Sequence, residues 1–248
     1  MDTRFFRFFD LPGELRTAIL EHLVIIHSEV PVYAKRETCT ESPPMVLTDL
    51  LLVSHQLYRE ASGLFYGQNN FLVNLGTRRM YSEISSEGQL FSHDTVDARR
   101  RIRCLSLRVR RISGDFESVV VPPLMDMILN GCLKVLDVGF LTQDNTLKAT
   151  AGYIQNHGSQ SLCKDTEAAN LVRTSPFQAL LKLLADPDLE MVTLWVSLVH
   201  WSFWCSYHDS HETPERKDEE KIPIDWRRLV GDFGEGRHIT KVQKPRFS

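Results

Sequence analysis

Three short frames of one form recur in this chain: IRCLSL from Ile102, LKVLDV from Leu133 and LEMVTL from Leu189. Each sets apolar residues in an apolar-x-x-apolar-x-apolar order. The first uses Ile102, Leu105 and Leu107, the second Leu133, Leu136 and Val138, the third Leu189, Val192 and Leu194. Between the first two lies VPPLMDMILNG, which reads as a helix with prolines at its start and Gly131 after its end. Between the second and third lies SPFQALLKLLADP. There Ser175 and Gln178 have capping-box spacing, Pro176 takes the first helical position and Pro187 ends the run. Strand, helix, strand, helix, strand predicts parallel crossovers with helices on at least one face of a sheet.

The N-terminal third reads as two helices. In DLPGELRTAILEHLVIIH the start falls at Asp10 or Leu11, Pro12 sits in the first turn, and Glu14 lies near the positive end of the dipole. Leu15, Ile19, Leu23 and Ile26 recur at helical spacing and form a stripe. A loop with three prolines, expected to be mobile, follows over 28–44. The second helix is expected from Thr48, as N-cap, to Tyr66, with Leu50, Val53, Leu57, Ala61, Leu64 and Phe65 on one face. Gly67 then stands where a left-handed cap is wanted. NNFLVNL, Asn69 to Leu75, reads as a strand. Past Trp204, HDSHETPERKDEEK reads as a solvated loop, IDWRRLVGDF as a short helix, and RHITKVQKPRFS as a strand or a loose terminus.

Composition narrows the class of function. A formal charge of −3 over 248 residues argues against bulk phosphate binding as the main task. No apolar run approaches the roughly 18–20 residues a membrane span needs, and MDTRFFRFFDLPGELR has no signal-peptide form. The five cysteines are widely spaced with no CxxC, so reduced thiols in cytoplasm or nucleus are expected, with Cys104 and Cys132 as small core residues.

Each chemistry-bearing cluster has a plainer reading beside it. Ser54 and His55 are adjacent, so on a helix they point about 100° apart and do not form a nucleophile–base pair. A buried amphipathic helix is the better account. Cys205, His208 and His211 have zinc-compatible spacing, but no second ligand pair accompanies them. GDFGEG, Gly231 to Gly236, has neither a catalytic loop nor a phosphate-binding lysine in support and reads as a turn. Seven arginines lie between Arg99 and Arg111, with Arg108 and Arg110 on one strand face and Leu105, Leu107 and Val109 on the other. They read as a face paired with nearby acids such as Asp94, Asp97, Asp115 and Glu117, or as a site for an acidic protein partner, ahead of nucleic acid. Trp195, Trp201 and Trp204 read as core or as a binding rim. No nucleophile, base and orienting group converge, so no enzyme and no cofactor is expected.

LPGELRTAILEHL resembles the opening of F-box domains. Together with LLLVSHQLYREASGLFYGQNNFLV it is similar to the F-box-like proteins expanded in filamentous fungi, over Phe8 to Val73. The resemblance implies an α+β chain: F-box-like helices over 1–75, then an irregular, leucine-rich-repeat-like strand and helix region over 76–248. The frames begin 31 and 56 residues apart, without the fixed period or asparagine ladder of true repeats, so a plain α/β sheet stays equally open. The resemblance further implies a substrate-recognition adaptor of a cullin-RING ligase. Leu11, Pro12, Leu15, Ile19, Leu23, Leu52 and Val53 would dock on its Skp-type linker. Arg108, Arg110, Trp201 and Trp204 are the candidates for holding a protein target. A binding module without ligase docking, its leucine stripe packed inside its own core, is the alternative.

Overall fold

The computed structural model describes residues 7–32, 52–75, 78–110, 112–141, 172–197 and 221–234. Its spine is a six-stranded sheet in sequential order: β1 (Val30–Val32), β2 (Asn70–Leu75), β3 (Cys104–Val109), β4 (Val135–Phe140), β5 (Met191–Ser197) and β6 (Lys221–Pro223). The first five are parallel and β6 returns antiparallel along β5. All three repeated frames become strands, as the spacing predicts. They lie side by side with Leu105, Leu136 and Val192 in register.

Among the described residues the α-helices are α1 (Gly13–Val24), α2 (His55–Gln68), α3 (Arg78–Ile84), α4 (Val96–Arg99), α5 (Val121–Leu129), α6 (Ser175–Leu184) and α7 (Trp226–Phe233). Neighbouring parallel strands taken in chain order, joined by right-handed crossovers, place their connections on one side of the sheet. The burial agrees. Phe71, Val73, Leu75, Leu105, Leu107, Val109, Leu136, Val138 and Leu194 all point to the side that packs on Leu57, Ala61, Met127, Phe177 and Leu181. One core cluster runs from Leu20 to Leu229, and the boundary expected at residue 75 falls between two strands paired along their whole length.

Several local expectations change. Pro12 is the N-cap of α1, not part of its first turn, and Ile26 lies beyond the helix end at Ile25. α2 begins at His55 because Ser54 is extended (φ −158°) and its hydroxyl accepts the Leu57 N–H at 3.1 Å. It ends at Asn69, so Gly67 is helical and caps nothing. Thr48 and Leu50 lie outside the described residues. The expected loop 28–44 contributes edge strand β1, and the polar run ending at Lys221 contributes β6. Ser175 and Gln178 do not form a capping box. Ser175 bonds Glu117 at 2.9 Å, and Gln178 reaches the Val172 carbonyl at 2.7 Å. Gly231 to Phe233 form the last turn of α7, as the short-helix reading of IDWRRLVGDF expects and the turn reading of GDFGEG does not. Gly131 does mark the end of α5, because a Cβ there would sit 2.6 Å from the Met127 carbonyl oxygen and 2.8 Å from that of Arg100.

Candidate functional site

α1 is apolar on two sides, and among the described residues only one side packs into the core. Leu20 and Val24 are 1% and 0% exposed and enter the core. Leu15, Ile19 and Leu23, at the i, i+4, i+8 spacing, remain 52%, 41% and 45% exposed. Leu52 and Val53, just ahead of the Ser54 cap, are 78% and 70% exposed. Val53 was expected on the buried face of the second helix. The cap breaks the helical phase between Val53 and Leu57, and Val53 turns outward. Pro12 is exposed and Leu11 is half-buried. A soluble-protein helix ordinarily keeps polar residues on its outer face, so this outward stripe departs from what burial alone would select.

Two polar ties hold α1 against α2. Arg16 donates Nε to Glu60 Oε2 at 2.9 Å and Nη2 to Glu60 Oε1 at 3.0 Å, while its Nη1 donates to the Leu11 carbonyl at 2.7 Å. Gln56 donates to the same Glu60 carboxylate at 3.1 Å. The Arg16 fork, helped by Gln56, holds the Glu60 carboxyl below the ordinary carboxylate range. At the other end the buried Asn69 side chain accepts the Ile26 N–H at 2.7 Å. It donates to the Val24 carbonyl at 2.8 Å and the Phe65 carbonyl at 2.9 Å. One amide thus ties together the C-terminal ends of both helices, adding to the Asn69 backbone N–H that the Phe65 carbonyl already accepts at 3.4 Å. With Arg16 beside Glu60 and Val24 beside Asn69, the two helices run side by side in the same direction.

The opposite face of the sheet carries Arg108, one of the candidate target residues. Arg108 is 7% exposed, not solvated. It donates Nη1 to Asp137 Oδ2 at 2.8 Å and Nη2 to Glu29 Oε1 at 2.7 Å, and its guanidinium stacks on the Trp195 ring at 4.7 Å. Asp137 also receives the Trp195 indole N–H at 2.9 Å and the Thr193 hydroxyl. Arg108, Gly139 and Trp195 are in register, and the indole lies flat over Gly139, where a Cβ would come within 2.1 Å of the ring. Arg110, at the strand end, is exposed.

Arg99, Arg100, Arg101 and Arg103 are also engaged within the chain; the charge of Asp97 acts on Arg100 as expected, while their hydrogen bonds go elsewhere. Arg99 and Arg100 converge on Asp126, and Arg103 pairs with Glu190 at 3.1 Å. Arg101 donates to the Ser62 hydroxyl and lies over the Tyr58 ring. The Arg100 bond, with Asn130 and Arg99 adding to it against the cost of burial, lowers the Asp126 carboxyl to about 2. Asp94 instead accepts from Ser92 and Gly88, and Glu117 from Ser175. The partners that matter are distant in sequence, which a local reading of charge does not reach.

Trp201, Trp204, Cys205, His208 and His211 lie outside the described residues. Among the described residues no cluster of histidine, cysteine and carboxylate is fit to hold a metal ion, and no helix is long and apolar enough to cross a membrane. Cys132, expected in the core, is exposed. Cys104 is half-buried on the sheet face opposite α2, α5 and α6, and burial raises its thiol. Glu60, Asn69, Asp137 and Gly139 were not foreseen as a group. For Asn69 the signal was available: an asparagine after a helical run is a cap candidate. No family model, curated protein or solved structure matches this chain.

Proposed function

We propose that this chain is a non-enzymatic adaptor of the cytoplasm or nucleus. Its F-box-like helix pair docks on a Skp-type linker of a cullin-RING ubiquitin ligase, and its one-sided, leucine-rich-repeat-like sheet carries a protein target. The observation that supports this reading is the outward stripe of Leu15, Ile19 and Leu23, flanked by exposed Leu52 and Val53. Helix-in-groove partners are read as anchors at this spacing. Burying such side chains in a complex contributes on the order of 1 kcal/mol or more each.

The test is capture of purified linker by the full chain, measured by calorimetry for wild type and Leu15→Glu/Ile19→Glu. Wild type binds, and the variant loses binding with its melting curve unchanged. Absence of binding by wild type, or equal binding by the variant, refutes the reading.

A second reading is a structural or regulatory binding module without ligase docking. It is favoured by the way Leu20, Val24 and Leu57 join the same core as the sheet, leaving the helix pair no independent core. It predicts no linker binding at any concentration where the protein is folded. A nucleic-acid reading has lost its main support, since Arg99, Arg100, Arg101, Arg103 and Arg108 already bond within the chain.

A further inference from the structure

We propose that Arg16 and Glu60 are positioning residues that set the Leu11–Pro12 corner and the α1 stripe in the pose a partner recognises. The inference rests on the docking reading above. Its physical basis is the three-way reach of one guanidinium. Arg16 holds both oxygens of Glu60 on α2 and the carbonyl of Leu11 at once. Leu11 is the residue immediately before Pro12, so its carbonyl belongs to the corner itself. Glu60 is in turn steadied by Gln56 one turn earlier on α2.

Chain connectivity does not fix this geometry. α1 ends at Val24 and α2 starts at His55, and a long connection leaves the relative setting of two helices to their contacts. The Asn69 amide fixes one end of the pair, through the Val24 carbonyl and Ile26 N–H. Arg16 and Glu60 fix the other end, which is the end carrying Leu11, Pro12 and Leu15. Only arginine meets this demand. Lysine offers a point charge without a planar fork, so it can satisfy the carboxylate or the carbonyl but not all three acceptors in their directions.

The position matters because both residues lie beside the apolar stripe without belonging to it. Arg16 and Glu60 have side chains 18% and 28% exposed, so they are partly covered and still reachable from solvent. Removing the clamp frees the corner to sample other settings. The free protein then reaches its binding-competent pose in only a fraction of molecules, and affinity falls by that fraction.

The experiment uses the full chain with Arg16→Lys, Glu60→Gln and, as a control, Arg103→Gln, which removes the exposed bridge to Glu190. Linker affinity is read by calorimetry, melting by scanning calorimetry, and the opening of α1 by hydrogen exchange over residues 13–19 in the unliganded protein. Arg16→Lys and Glu60→Gln are each expected to weaken linker binding about tenfold. Exchange over 13–19 should rise several-fold with the melting temperature within about 3 °C of wild type. Arg103→Gln should change none of these.

Wild-type affinity and wild-type exchange in both variants overturn the proposal. So does weakened binding that tracks a lowered melting temperature, since that marks a general stability effect. If the wild type binds no linker, the docking reading is refuted on its own. Exchange over 13–19 then decides the clamp: faster exchange in both variants supports it, and unchanged exchange overturns it.

Discussion

Replacing Leu20 and Leu15 separately by alanine asks whether α1 has one structural face or two. Leu20 is 1% exposed and sits in the core with Val24 and Leu57. Leu20→Ala deletes buried methyl groups and leaves a cavity, at a cost of about 2–5 kcal/mol. Leu15 is 52% exposed. Its alanine variant gives up about half of the roughly 1.5–3 kcal/mol that full burial of a leucine contributes. Solvent fills the vacated space, and alanine is the better helix former by a few tenths of a kcal/mol, so the net cost is about 0–1 kcal/mol. Urea unfolding followed by far-UV circular dichroism separates the two. With a slope of about 2–3 kcal/mol/M, Leu20→Ala lowers the midpoint by about 0.7–2.5 M, and Leu15→Ala shifts it by about 0.5 M at most. Equal shifts would refute the assignment of Leu15 to a free surface and, with it, the account of the stripe as a docking face.

Two further outcomes follow from the sheet and the arginine cluster. Gly139→Ala drives a methyl group into the Trp195 ring, since a Cβ there lies 2.1 Å from it, and the displaced indole leaves both the Asp137 carboxylate and the Arg108 guanidinium. The expected cost is about 1–3 kcal/mol, with red-shifted tryptophan emission from the folded state, and an unchanged spectrum and stability would contradict the stacking. Asp126 has a folded pKa of about 2, below the ordinary aspartate value of 3.8. The unfolded chain therefore binds its proton first as pH falls. The stability this carboxylate contributes is complete above about pH 5 and is lost as pH falls through the window toward 2. That contribution is on the order of 1–2 kcal/mol after allowance for solvent screening. Asp126→Asn should flatten stability against pH in that window, and an unaltered slope would show that the Arg100–Asp126 bond is not its source.

Much of the sheet was legible because its evidence is local. Leu105, Leu107 and Val109 alternate with Ser106 and Arg108, and period two is enough to assign both faces of β3. The frames and the helices between them also carried the parallel crossovers. What stayed hidden is pairing across long separations. Arg108 finds Glu29 and Asp137, and Arg16 finds Glu60. No spacing rule selects those partners among the acids of the chain. Ser54 shows a second limit. It fits a helix by periodicity and a cap by chemistry, and its extended backbone decides for the cap. That single choice moves Val53 from core to surface. β1 and β6 escaped for a third reason: three-residue strands carry too little pattern to be read without the sheet edge that pairs with them.

The same contrast bears on α1. A helix meant only to cover a sheet needs one apolar stripe, and Leu20 and Val24 supply it. Leu15, Ile19 and Leu23 add nothing to that task and expose apolar surface that favours association. Their neighbours show that the fold is capable of restraint here, since Glu14, Thr17 and Ala18 are exposed on the same helix without forming a second apolar row. Polar ties stand at both ends of the helix pair, and one set lies where the stripe begins. The Arg16 fork orders the Leu11–Pro12 corner, which the hydrophobic core does not require. An accidental apolar face would have no reason to be set in place by a three-acceptor arginine. On the docking reading proposed above, an ordered corner leading into an exposed stripe would limit the conformational entropy lost when a partner closes over it, which is how a preorganised surface gains affinity.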